Sequence, residues 1–159
     1  MAKDLHIVGF KIGRETFGVP IALVHEIVRV PDITAVPDSP GYVEGVINLR
    51  GKIVSVIDLR KRFGEKEITT NKKNRIMVTG VEGKIVGLIV DAATEVLKIA
   101  ESEVELPPSL CEDSELNYVT GVGKLKGRLI ILVDLSKILQ KGELRRLTEI
   151  ASQAAAVSA

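Results

Sequence analysis

The sequence is poor in aromatic residues: its 159 residues include three phenylalanines, two tyrosines and no tryptophan. Most of these rings, which are Phe10, Phe17, Tyr42, Phe63 and Tyr118, lie in apolar runs that are typical of a protein core. Few rings are therefore expected on the surface, where single-stranded nucleic acid would stack on them. The net charge of +1 provides little attraction for nucleic acid or an anionic membrane. We expect neither nucleic acid binding nor direct membrane insertion.

Cysteine and long apolar runs are also scarce. Cys111 is the only cysteine, so an internal disulfide is impossible and a reducing compartment is favoured. The longest apolar runs, in 85–90 and 129–133, are far shorter than the roughly 18 residues that a membrane-spanning helix requires. The first residues also lack the apolar region of a signal peptide. The sequence therefore predicts a soluble, cytoplasmic protein.

No group of residues has the spacing of a reaction centre. His6 and His25 have no second ligand at metal-binding spacing, and the glycine-rich segment 121–127 lacks the spacing of a phosphate-binding loop. Asp58 and Asp134 could suggest a pair of catalytic carboxylates. However, each precedes a short helical segment, where an aspartate commonly accepts a hydrogen bond from a free backbone N–H group. We therefore predict no catalytic residue, no metal and no cofactor.

The apolar residues that are present favour a β-rich fold. Hydrophobic residues make up 45% of the chain, and with few rings available the core must consist mainly of Ile, Val and Leu. The β-branched residues among these fit the half-buried surfaces of strands. The length allows one ordinary domain, or two very small ones that share a core.

The chain contains one structural unit twice. Segment 45–61, "GVINLRGKIVSVIDLRK", matches 121–137, "GVGKLKGRLIILVDLSK", and upstream the segment 17–30 matches 86–99, with Glu26 aligned to Glu95. Each unit reads as about five short strands, which predicts two small barrels that pack on each other and leave a groove.

The repeat also predicts how the domain is divided. We expect one domain over 1–142, made of two intertwined barrels over roughly 16–82 and 83–142 that share the N-terminal strand. Beyond it, 143–159 has helical periodicity, with Leu144, Leu147 and Ile150 three residues apart, and predicts an amphipathic C-terminal helix with a frayed tail.

The two copies differ at one turn. Both contain a glycine, Gly51 or Gly127, which a tight turn requires when its backbone adopts a positive φ angle. Only the first copy has Asn48 and Arg50, whereas the second has lysines. Arginine presents a planar fork of donors and is enriched at interface hot spots, so Arg50 is a candidate binding residue. A solvated arginine without a partner is the alternative.

The repeated segments and the asymmetric turn together resemble a known family. The run "YVEGVINLRGKIVSVIDLRKRFG", preceded by "FGVPIALVHEI" and followed by "VGLIVDAATEVL", resembles the CheW family of bacterial chemotaxis coupling proteins over residues 5–140. The resemblance implies two SH3-like five-stranded barrels. It also implies an adaptor that couples the cytoplasmic tips of methyl-accepting chemotaxis receptors to the regulatory domain of the histidine kinase CheA, controls kinase activity and supports array assembly. Its location would be the cytoplasmic side of membrane-associated receptor arrays.

The resemblance further implies two sets of binding residues. The receptor-binding set occupies the segment around Glu26 and the asymmetric turn, and comprises Val24, Glu26, Gly45, Val46, Asn48, Leu49 and Arg50. The kinase-binding set lies before the second turn and comprises Val119, Thr120, Gly121, Val122 and Gly123. Two other classes of function stay open at this point. They are a double barrel that binds a small ligand or nucleic acid, and an enzyme for which no candidate residues are seen.

Overall fold

A computed structural model describes residues 4–65, 68–105, 118–139 and 141–158 of the chain. The apolar and β-branched runs form strands, and short polar segments with glycine separate them. The strands are β1 (Asp4–Ile12), β2 (Glu15–Pro20), β3 (Val24–Arg29), β4 (Val43–Leu49), β5 (Lys52–Asp58), β6 (Arg75–Val81), β7 (Lys84–Val90), β8 (Ala92–Ala100), β9 (Val104–Glu105), β10 (Val119–Leu125) and β11 (Arg128–Val133). Cys111 lies outside the described residues.

Helical structure is limited in the described part of the chain. Two single helical turns, α1 (Leu59–Arg62) and α2 (Leu135–Ile138), follow β5 and β11, and two 3₁₀ turns cover Ile21–Leu23 and Glu101–Glu103. Each of α1 and α2 begins after an aspartate whose side chain accepts a backbone hydrogen bond, from Arg60 at 3.0 Å and from Ser136 at 2.9 Å. The prediction that Asp58 and Asp134 cap these turns is therefore confirmed.

The strands form two sheets that exchange segments. Sheet one has the order β8-β1-β2-β11-β10-β9, and sheet two has the order β3-β6-β7-β5-β4. The hairpin β1–β2, at the start of the chain, pairs with β8 and β11 of the second copy. The hairpin β6–β7, which spans the 82/83 boundary, lies among the strands β3, β4 and β5 of the first copy. A boundary at 82/83 consequently does not separate the two sheets, because each contains strands from both sides of it.

The predicted mainly β fold is confirmed, but the barrels are not closed. Sheet one has six strands rather than five, since the two-residue strand β9 from the longer connection of the second copy adds to β10. In the described residues, the outer strands of neither sheet pair with each other to complete a barrel. In sheet two, Thr34 forms an isolated bridge with Val46 and covers part of the β4 edge, which would otherwise be exposed to pairing with other chains.

The apolar side chains form a core inside each sheet and a third core between the sheets. Ile76 is buried within sheet two and Ile130 within sheet one, whereas the central core joins Phe10 of sheet one to Leu88 of sheet two. Full burial of one such side chain stabilises the fold by about 1.5–3 kcal/mol. The two sheets therefore share a core and stabilise each other.

The few aromatic rings are concentrated in the central core, as the sequence predicts. Phe10, Phe17, Phe63 and Tyr118 form a row in which successive ring centroids lie 5.9, 4.8 and 5.0 Å apart. Such contacts contribute about 0.5–1.5 kcal/mol each beyond burial. The row connects strands of sheet one to the end of α1.

Helix α3 (Lys141–Ser158) packs on the strands β4, β5 and β7 of sheet two. Leu144, Leu147 and Ile150 are buried on one face, with 1%, 1% and 0% of their surface exposed, so the predicted amphipathic helix is confirmed. The hydroxyl of Ser55 on β5 donates a hydrogen bond to the backbone carbonyl of Leu147. None of the described helices is both long and apolar enough to span a membrane.

The start of α3 is attached to the rest of the chain by Arg62. Its guanidinium forms an ion pair with Glu143, donates to the Ile138 carbonyl and lies 5.7 Å from the ring centroid of Tyr42. Burial raises the pKa of the Tyr42 phenol, and the charge of Glu143 acts in the same direction, while Arg146 and Arg62 oppose the rise. The folded protein therefore favours the neutral phenol.

Candidate functional site

The turn that carries Arg50 has the geometry of a two-residue hairpin loop. Leu49 pairs with Lys52, and between them Arg50 and Gly51 have φ angles of +53° and +87°. Two successive positive φ angles are typical of the type I′ turn, which matches the twist of the flanking strands. The side-chain oxygen of Asn48 accepts a hydrogen bond of 2.8 Å from the Gly51 N–H and stabilises the loop.

The second copy makes the same turn with different side chains. Lys126 and Gly127 have φ angles of +51° and +78°, close to the values of Arg50 and Gly51. Because lysine supports the same backbone, the fold does not require an arginine at this position. The difference between the two turns therefore concerns side-chain chemistry.

Arg50 forms an ion pair with Glu26, a residue on the opposite edge of the same sheet. In a flat sheet of five strands, the edge strands would lie roughly 19 Å apart. The contact therefore requires sheet two to curl until the β4–β5 turn approaches β3. The side chain of Arg50 is 75% exposed and that of Glu26 is 32% exposed, so the pair lies at the surface.

A second ion pair joins two separated strands of sheet one, and sequence analysis did not identify it. Glu95 on β8 accepts a hydrogen bond of 2.7 Å from Arg128, at the start of β11. Glu95 is the repeat equivalent of Glu26, and this alignment could have indicated that Glu95 also forms an ion pair. The cation, however, comes from the residue after the turn and not from Lys126, so the repeat alone did not identify it.

Two residues of the predicted receptor-binding set are buried. Gly45 has a φ angle of +148°, and a β-carbon there would lie 2.3 Å from the carbonyl oxygen of Thr34. Val46 is 5% exposed and exchanges two backbone hydrogen bonds of 2.9 Å with Thr34. Both residues hold the segment at Thr34 against β4 and position the strand that leads to the turn.

The other members of this set are accessible to different degrees. Asn48 is exposed, whereas Val24 and Leu49 are half-buried. Val24 packs against the central core, and Leu49 packs against the core of sheet two. The set thus consists of a charged and polar surface group on a partly buried apolar support.

A groove of about 470 Å³ lies next to Asn48. Its walls come from the segment before β4, from β4 and β5, and from the last turns of α3. They are formed by Thr34, Ala35, Val36, Pro37, Val46, Ile47, Asn48, Ile53, Gln153 and Ala154. This mainly apolar lining suits the side chains of a docked helix, and Arg50 lies two residues from Asn48 in the adjoining turn.

The predicted kinase-binding residues lie on β10, and only Thr120 is exposed. Gly121 and Gly123 are buried, while Val119 and Val122 are half-buried. The pairing of β10 with β11 is irregular between Val119 and Gly121. Such a bulge reorients side chains along a strand.

Thr120 also lines a cavity of about 380 Å³ in sheet one, together with Pro20 and Leu23. Leu23 ends the 3₁₀ turn that precedes Val24. The two predicted sets of binding residues therefore approach each other around this turn.

Arg60 forms a buried ionic cluster that sequence analysis did not identify. Its guanidinium donates to both carboxylate oxygens of Asp58 at 2.9 Å, and to Asp91 at 3.1 Å. Burial lowers the pKa of Arg60, but the hydrogen bonds and charges of the two aspartates outweigh this, so its pKa is raised. Ser136 occupies the equivalent position in the second copy. Because the arginine is not repeated, comparison of the two copies did not indicate this cluster.

Asp91 places this cluster at the crossover between the sheets, because it is the single residue between β7 of sheet two and β8 of sheet one. Its N–H donates to the Lys11 carbonyl at 3.0 Å, and its carboxylate accepts from the Gly13 N–H at 2.7 Å. The cluster therefore connects both sheets at the point where the chain crosses between them. Among the described residues, no three His, Cys, Asp or Glu side chains are grouped as a metal site would require.

Two sheets with exchanged hairpins and exposed turn residues define a β-rich scaffold, and comparison with known families identifies its class. The family model described as "CheW-like domain" matches residues 6–143. The chain belongs to the CheW-like domain family, which confirms the resemblance seen in the sequence.

Several relatives support this assignment. The chain is 37% identical over 138 residues to "Chemotaxis protein CheW" of Helicobacter pylori, covering 86% of this chain and 82% of the relative. It is 33% identical over 139 residues to the protein of the same name in Thermotoga maritima, covering 87% and 90%. It is similar in structure to the scaffolding protein TtCheW from Thermoanaerobacter tengcongensis, with a TM-score of 0.79, 38% identity and coverage of 89% and 96%. The chain is accordingly a chemotaxis coupling adaptor.

Proposed function

We propose that this adaptor couples the cytoplasmic hairpin tips of methyl-accepting chemotaxis receptors to the regulatory domain of the histidine kinase CheA. It acts in the cytoplasm at membrane-associated receptor arrays and catalyses no reaction itself. Membership of the CheW-like family supports the adaptor role. The observation that carries the assignment of the receptor surface is the exposed guanidinium of Arg50, paired with Glu26, in the turn that follows the groove residue Asn48.

The receptor surface consists of Glu26, Asn48 and Arg50, with Val24 and Leu49 as its apolar support. A helical hairpin presents carbonyl and carboxylate groups at its tip, which suit the planar donors of an arginine. An apolar helix face fits the neighbouring groove, because grooves of this kind take side chains at helical spacing. Gly45 and Val46 contribute indirectly, since they fix the strand that carries the turn.

The kinase surface is centred on Thr120, the exposed member of the segment 119–123. Its neighbours on β10 alternate between buried and half-buried positions, so one side of the strand is available to a partner. The receptor and kinase surfaces occupy different sheets, although Val24 follows the 3₁₀ turn near Thr120, and this separation allows both partners to bind at once. Weak contacts at each surface would be strengthened when many copies assemble in an array.

The test of the receptor surface is the binding of a receptor hairpin fragment to the Arg50→Glu variant. Truncating a central interface arginine costs about 2 kcal/mol or more, which is roughly a thirtyfold loss of affinity. Lys126→Glu is the matched control, because Lys126 occupies the same turn position in the second copy. We expect the control to bind the receptor fragment normally and both variants to bind the kinase regulatory domain normally.

Thr120→Arg tests the kinase surface in the same assay. We expect weaker binding to the kinase domain and unchanged binding to the receptor fragment. A folded Arg50→Glu variant with wild-type receptor affinity would remove Arg50 from the receptor surface. A folded Thr120→Arg variant with wild-type kinase affinity would remove this part of β10 from the kinase surface.

A further inference from the structure

Two arginines face each other at the far end of β3. Arg29 and Arg75 are direct partners in the antiparallel pairing of β3 with β6. Directly opposite residues of such a pair place their side chains on the same face, and like charges there destabilise the sheet. Lys72 and Lys73 add two further cations in the turn before β6. The protein thus concentrates four positive charges at one corner of sheet two.

These cations lack acidic partners in the described part of the chain. No carboxylate of residues 4–65, 68–105, 118–139 or 141–158 forms an ion pair with Arg29, Lys72, Lys73 or Arg75. Instead, the Arg75 guanidinium donates to the backbone carbonyls of Lys72 at 2.7 Å and Asn74 at 2.8 Å. Its position is therefore fixed, and no carboxylate of the described residues neutralises its charge.

The second copy of the repeat provides an internal comparison. Lys98 is the repeat equivalent of Arg29, and it forms an ion pair of 3.3 Å with Asp4 on the neighbouring strand. Its direct partner across the strands is His6, not a second arginine. The fold therefore accommodates a compensated cation at this position, and the uncompensated pair in sheet two is not a requirement of the architecture.

A cleft of about 420 Å³ adjoins these charges, lined by Arg29, Val30, Asn71, Lys72 and Asn74. Asn74 is only 4% exposed, and its side chain accepts a hydrogen bond of 3.0 Å from the Asn71 N–H and donates one of 3.1 Å to the Asp91 carbonyl. The floor of the cleft is thus held in place by the crossover between the sheets.

The rim of the cleft is apolar as well as basic. Val30, which lines it, is 38% exposed, and Ile27 on the preceding part of β3 is 40% exposed. Arginine is enriched at the surfaces that bind proteins, whose buried centre is apolar, whereas surfaces that bind single-stranded nucleic acid present aromatic rings. The chemistry of the rim therefore favours a protein partner.

We propose that this basic cleft is a third docking surface, which binds an acidic segment of a partner protein. Carboxylates of the segment lie against Arg29, Arg75 and Lys72, and its aliphatic side chains contact Val30 and Ile27. Arginine forks bind carboxylates through two parallel hydrogen bonds, which suits a pair of guanidiniums on one face. Arg29 lies about 10 Å along β3 from Glu26, and the surface uses none of the predicted receptor-binding or kinase-binding residues.

The probe for this surface is an N-acetylated octapeptide of alternating Glu and Leu, compared with the same peptide carrying Gln for Glu. Both are titrated into the ¹⁵N-labelled full chain while backbone amide shifts are followed. We expect the Glu peptide, and not the Gln peptide, to shift the amides of residues 29–30 and 71–75 saturably. Added salt should weaken this binding because the cations are exposed.

Charge-reversal variants test which cations of the cleft bind the peptide. The double variant Arg29→Glu/Lys72→Glu should bind the Glu peptide about tenfold more weakly. Lys126→Glu/Lys137→Glu makes the same change in net charge at exposed positions outside the cleft, and should bind within about twofold of the wild type. If the double variant is not folded, Lys72→Glu alone replaces it, since Lys72 lies in a turn.

Several outcomes would overturn the proposal. These are the absence of saturable shifts, equal binding of the Gln peptide, and an equal loss of affinity in the control double variant. Stronger binding of inorganic phosphate or of phosphatidylglycerol vesicles at the same amides would assign the cleft to a phosphate group or to a lipid surface instead. None of these results bears on the receptor or kinase surfaces, whose tests use other residues and other partners.

Discussion

Replacing Arg60 by methionine tests whether the buried ionic cluster holds the two sheets together. The side chains of Arg60 and Asp58 are 5% and 4% exposed, so this substitution leaves the Asp58 carboxylate buried without its counter-charge. Removing one partner of a buried ion pair typically costs 3–5 kcal/mol, because the remaining charge is uncompensated. Asp91 is 30% exposed and can be solvated, so we expect a loss near the lower end, about 3 kcal/mol.

The measurement is urea unfolding at neutral pH followed by far-ultraviolet circular dichroism, since the chain has no tryptophan to serve as a fluorescent probe. The matched control is the double variant Asp58→Asn/Arg60→Met, which removes both charges and retains a side chain that can cap α1. We expect the double variant to recover more than half of the lost stability. A loss below about 1 kcal/mol for the single variant, or a double variant as unstable as the single, would refute the cluster's role.

Three further predictions concern other parts of the fold, and all are measured as free energies of unfolding. Gly45→Ala should lower the free energy of unfolding by about 3 kcal/mol, because its β-carbon would lie 2.3 Å from a backbone oxygen. Gly51→Ala has open space around its β-carbon and should lower it by about 1 kcal/mol. Equal losses in the two variants would contradict this. Arg29 has no acidic partner among the residues that the structure describes, so Arg29→Gln should stabilise the chain by about 0.5 kcal/mol by removing a like-charge contact, and a loss would count against that repulsion. The raised pKa of Tyr42 means that the unfolded chain loses the phenol proton first, so stability should fall as pH rises past about 10, and Tyr42→Phe should reduce this fall.

The repeat and the turn chemistry were visible in the sequence because both depend on neighbouring residues. Asp58 and Asp134 were identified as capping residues from their positions before short helical segments, and the structure confirms both. The spacing of Leu144, Leu147 and Ile150 predicted a helix that packs on the protein, and these residues are buried. Local hydrogen bonding and periodicity were sufficient for these predictions.

The exchange of hairpins between the sheets and the long-range ion pairs were not predictable in this way. β2 pairs in parallel with β11, and β5 pairs in parallel with β7, which no local pattern specifies. Parallel neighbours come from distant segments, and their choice depends on the shared core rather than on either strand alone. For the same reason, the alignment of Glu95 with Glu26 indicated a repeated acid but did not identify Arg128 as its partner.

Arg50 and Arg60 illustrate how burial assigns different roles to the same chemistry. Arg60 is enclosed with its aspartates, so breaking that contact leaves a buried charge and costs stability. Arg50 is 75% exposed, and an exposed ion pair contributes only about 0–1 kcal/mol because water and salt screen it. A partner can therefore replace Glu26 with little loss of stability, and the guanidinium is already exposed at the turn. An arginine whose ion pair can be exchanged with little loss of stability is suited to recognition. This supports our proposal that the first turn, and not the buried cluster, belongs to the receptor surface.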